Sequence, residues 1–156
     1  MANSQDYFDF LNKLENDPSF CLKYIQDFPF DKKHPTYQLC LQTISKDADC
    51  SLTTAQVIIK GRFELGENAI SKNPNASYWY AKEVISGRFE IGEPAIATNS
   101  DLSFDYAKNV IRGRFEQGEK SIAQNEHLAF RYATEIIRGK LPEEMHNIML
   151  AKKIAE

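Results

Sequence analysis

No stretch of this 156-residue sequence runs apolar for the ~20 residues that a membrane-crossing helix needs. Its opening, Met1 to Phe10, carries Asp6 and no cation ahead of an apolar run, so it does not read as a secretory leader. A cationic excess is lacking too. Lys and Arg number 19 against 22 Asp and Glu, a net charge of -3, and nothing in that balance supplies a generic grip on nucleic acid or anionic lipid. Cysteine is scarce and odd in number: Cys21, Cys40 and Cys50 fit neither a CxxC pair nor a metal-ligand spacing, which points to buried, reduced thiols in a cytosol-like compartment. His34, His127 and His146 stand apart, without an HExxH motif or a partner four residues on, and no serine lies in a nucleophile elbow. These absences lead to the expectation of a non-enzymatic, cytoplasmic protein with no catalytic residue, no metal site and no cofactor.

What the chain does have is repetition. Gly-Arg-Phe-Glu begins at Gly61, Gly87 and Gly113, so 87 − 61 and 113 − 87 both give 26, and a worn copy starts at Gly139. The same period carries Ala55, Ala81, Ala107 and Ala133, as well as Ile44, Ile70, Ile96 and Ile122. It also carries Asp47, Asn73, Asn99 and Asn125, and the aromatic column Tyr80, Tyr106 and Tyr132 beside Tyr78, Phe104 and Phe130. Within one copy Tyr78, Ala81 and Ile85 lie at i, i+3 and i+7 with Val84 among them, the apolar stripe of an amphipathic helix. The glycine that follows reads as the left-handed residue past the helix end. The segment after it is short and holds a second glycine, and in one copy it accepts Pro94, which predicts a helix of one to two turns. Asn or Asp then caps the next helix, with Pro74 placed at a first helical position.

A hairpin of one long and one short helix cannot bury its own apolar face, whereas stacked copies share a continuous core. The expected fold is therefore all-α, a short α-solenoid of ~26-residue helix-turn-helix repeats with helical caps. Residues 1–49 hold a divergent repeat and capping helices, residues 50–141 the tandem repeats and residues 142–156 a C-terminal capping helix, all in one structural domain. In the first segment a helix is expected over about Ser4 to Glu15, and Asp17-Pro18 echoes Asn73-Pro74. Residues 28–50 read as irregular, with Pro29 and Pro35 bounding the connection. The final helix opens after Pro142 with Glu143 and Glu144 near its positive end and runs to about Ala155.

The string Tyr-Ala-x-x-Val-Ile-x-Gly-Arg-Phe-Glu-x-Gly-Glu, over about residues 50–150, resembles a repeat found in uncharacterised proteins of tailed bacteriophages and some bacteria. That repeat usually has Gly-Arg-Trp-Pro where this chain has Gly-Arg-Phe-Glu, and Leu141-Pro142 keeps the proline. The resemblance brings no established activity. It implies a small accessory protein that binds and inhibits a host toxin, defence or regulatory factor.

Repetition also sorts the candidate chemistry. Glu64 with Glu67, Glu90 with Glu93, and Glu116 with Glu119 could serve acid-base work or hold a cation. An active site is usually singular, so carboxylates copied in every unit read instead as partners of Arg62, Arg88 and Arg114, in exposed pairs worth ~0.2–1 kcal/mol each. Columns fixed by packing repeat, while columns free for recognition need not. One free column runs Thr53, Trp79, Asp105, Arg131, and a second runs Lys60, Ser86, Arg112, Arg138 just before the glycines. Trp79, Asp105, Arg131, Lys60, Arg112 and Arg138 are accordingly the expected partner-binding residues, with a macromolecule, foremost a protein, as the partner. The alternative is nucleic acid held by the basic column along the helix C-termini, where the helix dipole alone also favours cations.

Overall fold

The structure is a computed structural model that describes residues 4–28 and 31–155, the backbone alone for 153–155. Pro29, one expected boundary of an irregular connection, lies outside the described residues. Among the described residues every regular element is helical. The chain divides into two compact units, residues 1–70 and 71–156, a division that falls between two repeats.

In the first unit α1 (Ser4–Asn16), α2 (Pro18–Asp27) and α3 (Pro35–Ile44) pack on one another, and α4 (Ala48–Thr53) packs on α2 and on the short α5 (Glu67–Ile70). The second unit holds α6 (Pro74–Trp79), α7 (Glu93–Ile96), α8 (Ser100–Tyr106), α9 (Glu116–Ile122), α10 (Glu126–Arg131) and α11 (Glu143–Ala155). There the long helices stack in chain order, α6 on α8 and α8 on α10, while the short α7 packs on α9. Each stacked copy closes the apolar side of the one before it, which is the repeat architecture expected from the 26-residue period.

The caps set the register. Asp47, Asn73, Asn99 and Asn125 each accept a hydrogen bond from the backbone N–H three residues on, at 2.8, 3.0, 3.0 and 3.2 Å, satisfying one of the orphan donors of a helix start. Asp17 does the same for Phe20 at 2.9 Å. Asp17 to Asp47 spans 47 − 17 = 30 residues, so the divergent segment is a repeat with four residues added. The ten-residue α3 stands where the corresponding α5 has four residues. The expectation of irregular backbone over residues 28–50 therefore fails at Pro35–Ile44: His34 caps α3 by accepting the Thr36 N–H on Nδ1 at 3.2 Å, and Tyr37, Cys40, Leu41 and Ile44 are buried.

Two more members of the repeat emerge only in three dimensions. Leu14 is buried three residues before a cap, where Ile44, Ile70, Ile96 and Ile122 are also buried. Cys21 donates from Sγ to the Leu14 carbonyl at 3.1 Å, just as Ser51 Oγ donates to Ile44 at 3.0 Å and Ser103 Oγ to Ile96 at 3.1 Å. Helix α1 thus ends in the register of the short helix of a preceding unit.

Four long helices do not finish as α-helix. Their last turns, Thr54–Ile59, Tyr80–Ile85, Ala107–Ile111 and Tyr132–Ile137, are π-helical. The left-handed residue after each is Lys60, Ser86, Arg112 or Arg138, with φ of 55°, 56°, 57° and 55°, and no described glycine has positive φ. This corrects the assignment of the left-handed position to the glycines. The wider turn brings two successive N–H groups onto one carbonyl: Lys60 and Gly61 both donate to Ala55, and Arg112 and Gly113 to Ala107. The shared carbonyl lies five and six residues back, one more than at an α-helical end, and the left-handed position falls on a side-chain-bearing residue just before the glycine.

Candidate functional site

The repeated carboxylates come first, because their surroundings decide whether they are available for chemistry. Arg88 forms a bidentate pair with Glu93, Nε to Oε1 and NH2 to Oε2 at 2.8 Å each. Arg114 pairs with Glu119 at 2.8 and 2.9 Å, and Arg62 with Glu67 at 2.9 and 3.0 Å. The pairing is the expected one, but on its carboxylate side it is not exposed. Glu93 is only 1% exposed, and it also accepts the Tyr106 hydroxyl at 3.0 Å, which in turn accepts the Phe89 N–H at 2.9 Å. Tyr132 repeats this with Glu119 at 3.1 Å and the Phe115 N–H at 2.8 Å. Burial pushes both tyrosine hydroxyls well above their usual range, and the hydrogen bond to each carboxylate adds to the effect. Arg88 and Arg114 are held still more firmly protonated by their glutamates. Every oxygen in this relay has a partner, so it is scaffold rather than an acid-base pair. The other glutamate of each sequence pair, Glu64, Glu90 or Glu116, lies outside the relay and is exposed.

The mixed column is split by the structure. Trp79 is 40% exposed at the end of α6, with its ring edge-on to Tyr78 and the Lys82 ammonium 4.7 Å above it. Asp105 and Thr53 are half-buried. Arg131 is already engaged: its guanidinium lies 4.5 Å from the ring of Phe104 in the preceding copy, and Nε donates to Glu135 at 2.8 Å. Phe104 is 2% exposed under that cover. Phe130, its counterpart one repeat on, is 67% exposed. Sequence columns put Phe130 with the packed rings, since identity alone does not show that the covering Arg belongs to the following copy.

The basic column occupies the left-handed positions, where Lys60, Ser86, Arg112 and Arg138 are all exposed. In the second unit two matching clefts open between successive π-helical ends. One, of about 370 Å³, is lined by Lys82, Ser86, Asn109 and Arg112 among others. The next, of about 380 Å³, is lined by Lys108, Arg112, Glu135 and Arg138 among others. Arg112 thus borders both. Glu135, the carboxylate of the second cleft, is neutralised by Arg131 at 2.8 Å and Lys108 at 2.7 Å, and these hydrogen bonds hold its pKa down to about 2.

No family model, curated protein or solved structure matches the chain. The likeness to the phage repeat therefore stands on the repeated string itself. Among the described residues no group of three His, Cys, Asp or Glu side chains could hold a metal ion, and no helix is long and apolar enough to cross a membrane. The cysteines are buried thiols. Desolvation pushes Cys21 up to about 12 and Cys50 up to about 11, which leaves them as packing groups rather than nucleophiles. In the first unit His34 is a cap, Asp31 accepts the Lys33 N–H at 3.1 Å, and Tyr37 is buried.

Proposed function

We propose that the protein is a helical-repeat binding module whose recognition surface includes Trp79, and that it acts on a protein partner as an inhibitor of a bacterial host factor. The observation that carries this reading is the state of Trp79. It is the one tryptophan in the chain, it is 40% exposed, and it occupies a position that holds Thr, Asp and Arg in the other copies, so packing makes no demand for an indole there. Tryptophan is among the side chains most enriched at interface anchors. Arg131, the other large member of the column, already serves its neighbours and is secondary.

The test is capture from a bacterial lysate with the intact chain and with Trp79→Ala, followed by affinity measurement on whatever differs. Loss of an anchor costs about 2 kcal/mol or more, so the variant should bind the captured protein about thirtyfold more weakly with unchanged helical circular dichroism. A partner held equally well by Trp79→Ala would remove Trp79 from the surface.

A further inference from the structure

Lys60, Ser86, Arg112 and Arg138 share a feature that packing does not require. Each is a side-chain-bearing residue held left-handed, with φ between 55° and 57°, a conformation that glycine adopts without penalty. A glycine stands next to each of them, and a Cβ at Gly61 would meet nothing within 4 Å. The strained position therefore carries long cations in three of four copies although a glycine is at hand. Strain of this kind collects at ligand clamps, and π-helical turns, which precede every one of these residues, are frequent at functional sites.

In the second unit the strain has a spatial consequence. Arg112 borders two successive clefts of about 370 and 380 Å³, the first also lined by Lys82 and the second by Arg138. Among the described residues, no ion pair is formed by Arg112 or Arg138. The carboxylate that lines the second cleft, Glu135, is already bonded to Arg131 and Lys108. Helix C-termini favour cations, but a dipole is served by a cation in any conformation and does not call for a left-handed Arg. Two adjacent clefts with unpaired guanidinium groups at one-repeat spacing form a track for regularly placed anions.

Resting on the reading of the protein as a protein-binding module, we propose that the clefts bordered by Lys82, Arg112 and Arg138 bind an acidic peptide segment of the partner, its carboxylates paired with successive guanidinium groups. Carboxylates suit the planar fork of Arg bidentately. A peptide is favoured over nucleic acid because the whole chain carries a net charge of -3, which repels a long polyanion, whereas a short acidic segment meets only the local cations.

The probe is a fluorescently labelled twelve-residue oligoglutamate, titrated against the full chain in low salt and followed by anisotropy. Trp79 gives an independent readout, because Lys82 lines the first cleft and lies 4.7 Å above the indole. Binding should shift tryptophan emission. Arg112→Gly and Arg138→Gly remove the charge while relieving the left-handed strain, so both should fold at least as stably as the parent. Each should weaken the probe up to about fivefold, and the double variant up to about twenty-five-fold, the range expected from one exposed ion pair per Arg. Failure of the oligoglutamate to bind overturns the proposal, as does binding that both glycine variants retain. Tighter binding of a labelled oligothymidylate of equal charge would assign the clefts to nucleic acid instead. A captured partner that depends on Trp79 yet ignores Arg112→Gly/Arg138→Gly would overturn this inference and leave the binding-module reading intact.

Discussion

The two glycines of each repeat look alike in the sequence and differ in cause. At Gly92 a Cβ would lie 2.4 Å from Cδ1 of Phe89 and 2.8 Å from Oγ of Ser77, and Gly66 and Gly118 are equally crowded. At Gly87 the nearest atom would be Ile85 Cγ2 at 3.9 Å. Gly92 is thus fixed by the close approach of a ring, not by its backbone angles. Gly92→Ala should cost about 1–3 kcal/mol, the usual penalty of forced overpacking, while Gly87→Ala should stay within about 0.5 kcal/mol. Urea denaturation of the two variants side by side decides the point, and equal losses would contradict it. Thr54 shows the reverse situation. It stands where the other copies have Tyr80, Tyr106 and Tyr132, and its buried hydroxyl has no partner among the described residues. Threonine is too short to reach what the tyrosine hydroxyl reaches.

Helices are tied to one another by the Arg–Glu–Tyr relay. Arg88 lies in the loop between α6 and α7, Glu93 starts α7, and Tyr106 ends α8 and returns to the Phe89 N–H. One buried carboxylate therefore joins a loop, a short helix and the long helix of the next copy. Breaking a fully buried pair costs ~3–5 kcal/mol, because the remaining charge is uncompensated. The Arg88 side chain is 53% exposed, so water takes over part of its role, and Arg88→Ala should cost about 2–3 kcal/mol. That exceeds the ~0.2–1 kcal/mol of an ordinary surface pair, and chemical denaturation distinguishes the two. A loss below about 0.5 kcal/mol would show that the carboxylate is solvated. The last copy keeps the position but changes the solution. Met145, one period after Glu119, is buried at 1% exposure, and Lys140 follows Gly139 in place of Arg.

At the scale of the whole molecule two buried thiols and two buried tyrosine hydroxyls share one sign of shift. Cys21 at about 12 and Cys50 at about 11 lie in the first unit, and Tyr106 and Tyr132, also pushed up by burial, in the second. The folded chain holds these protons after the unfolded chain has begun to release them, near the ordinary thiol value of 9.0. Stability should therefore be level below about pH 9 and fall as pH rises through about 11 to 12. At the other end, the lowered pKa of Glu135 means that its contribution is present above the ordinary 4.5 and lost as pH falls towards about 2. Thermal unfolding followed against pH checks both limits. A melting temperature unchanged from neutrality to about pH 11 would contradict the alkaline arm.

The 26-residue repeat, the helix starts and the packed columns are all legible in the sequence because their causes are local. A cap such as Asn99 acts on the N–H three residues on, and an apolar stripe follows the helical period, so neighbours in the chain suffice to determine them. The insertion in the first repeat was hidden because Leu14 and Cys21 do the work of isoleucine and serine, a substitution of kind that leaves shape and hydrogen bonding in place. Other features depend on distance in space between copies, and only the tertiary structure decided them. Glu93 is buried while Glu90 is exposed, although the two are three residues apart, because a tyrosine from the next helix closes over one of them. Arg131 serves Phe104 while Phe130 is bare, since each ring is covered by the copy that follows it. The left-handed turn at Arg112 belongs to the same class: the residue that closes the π-helical turn is Arg112, not the neighbouring glycine to which local propensity alone would assign the position.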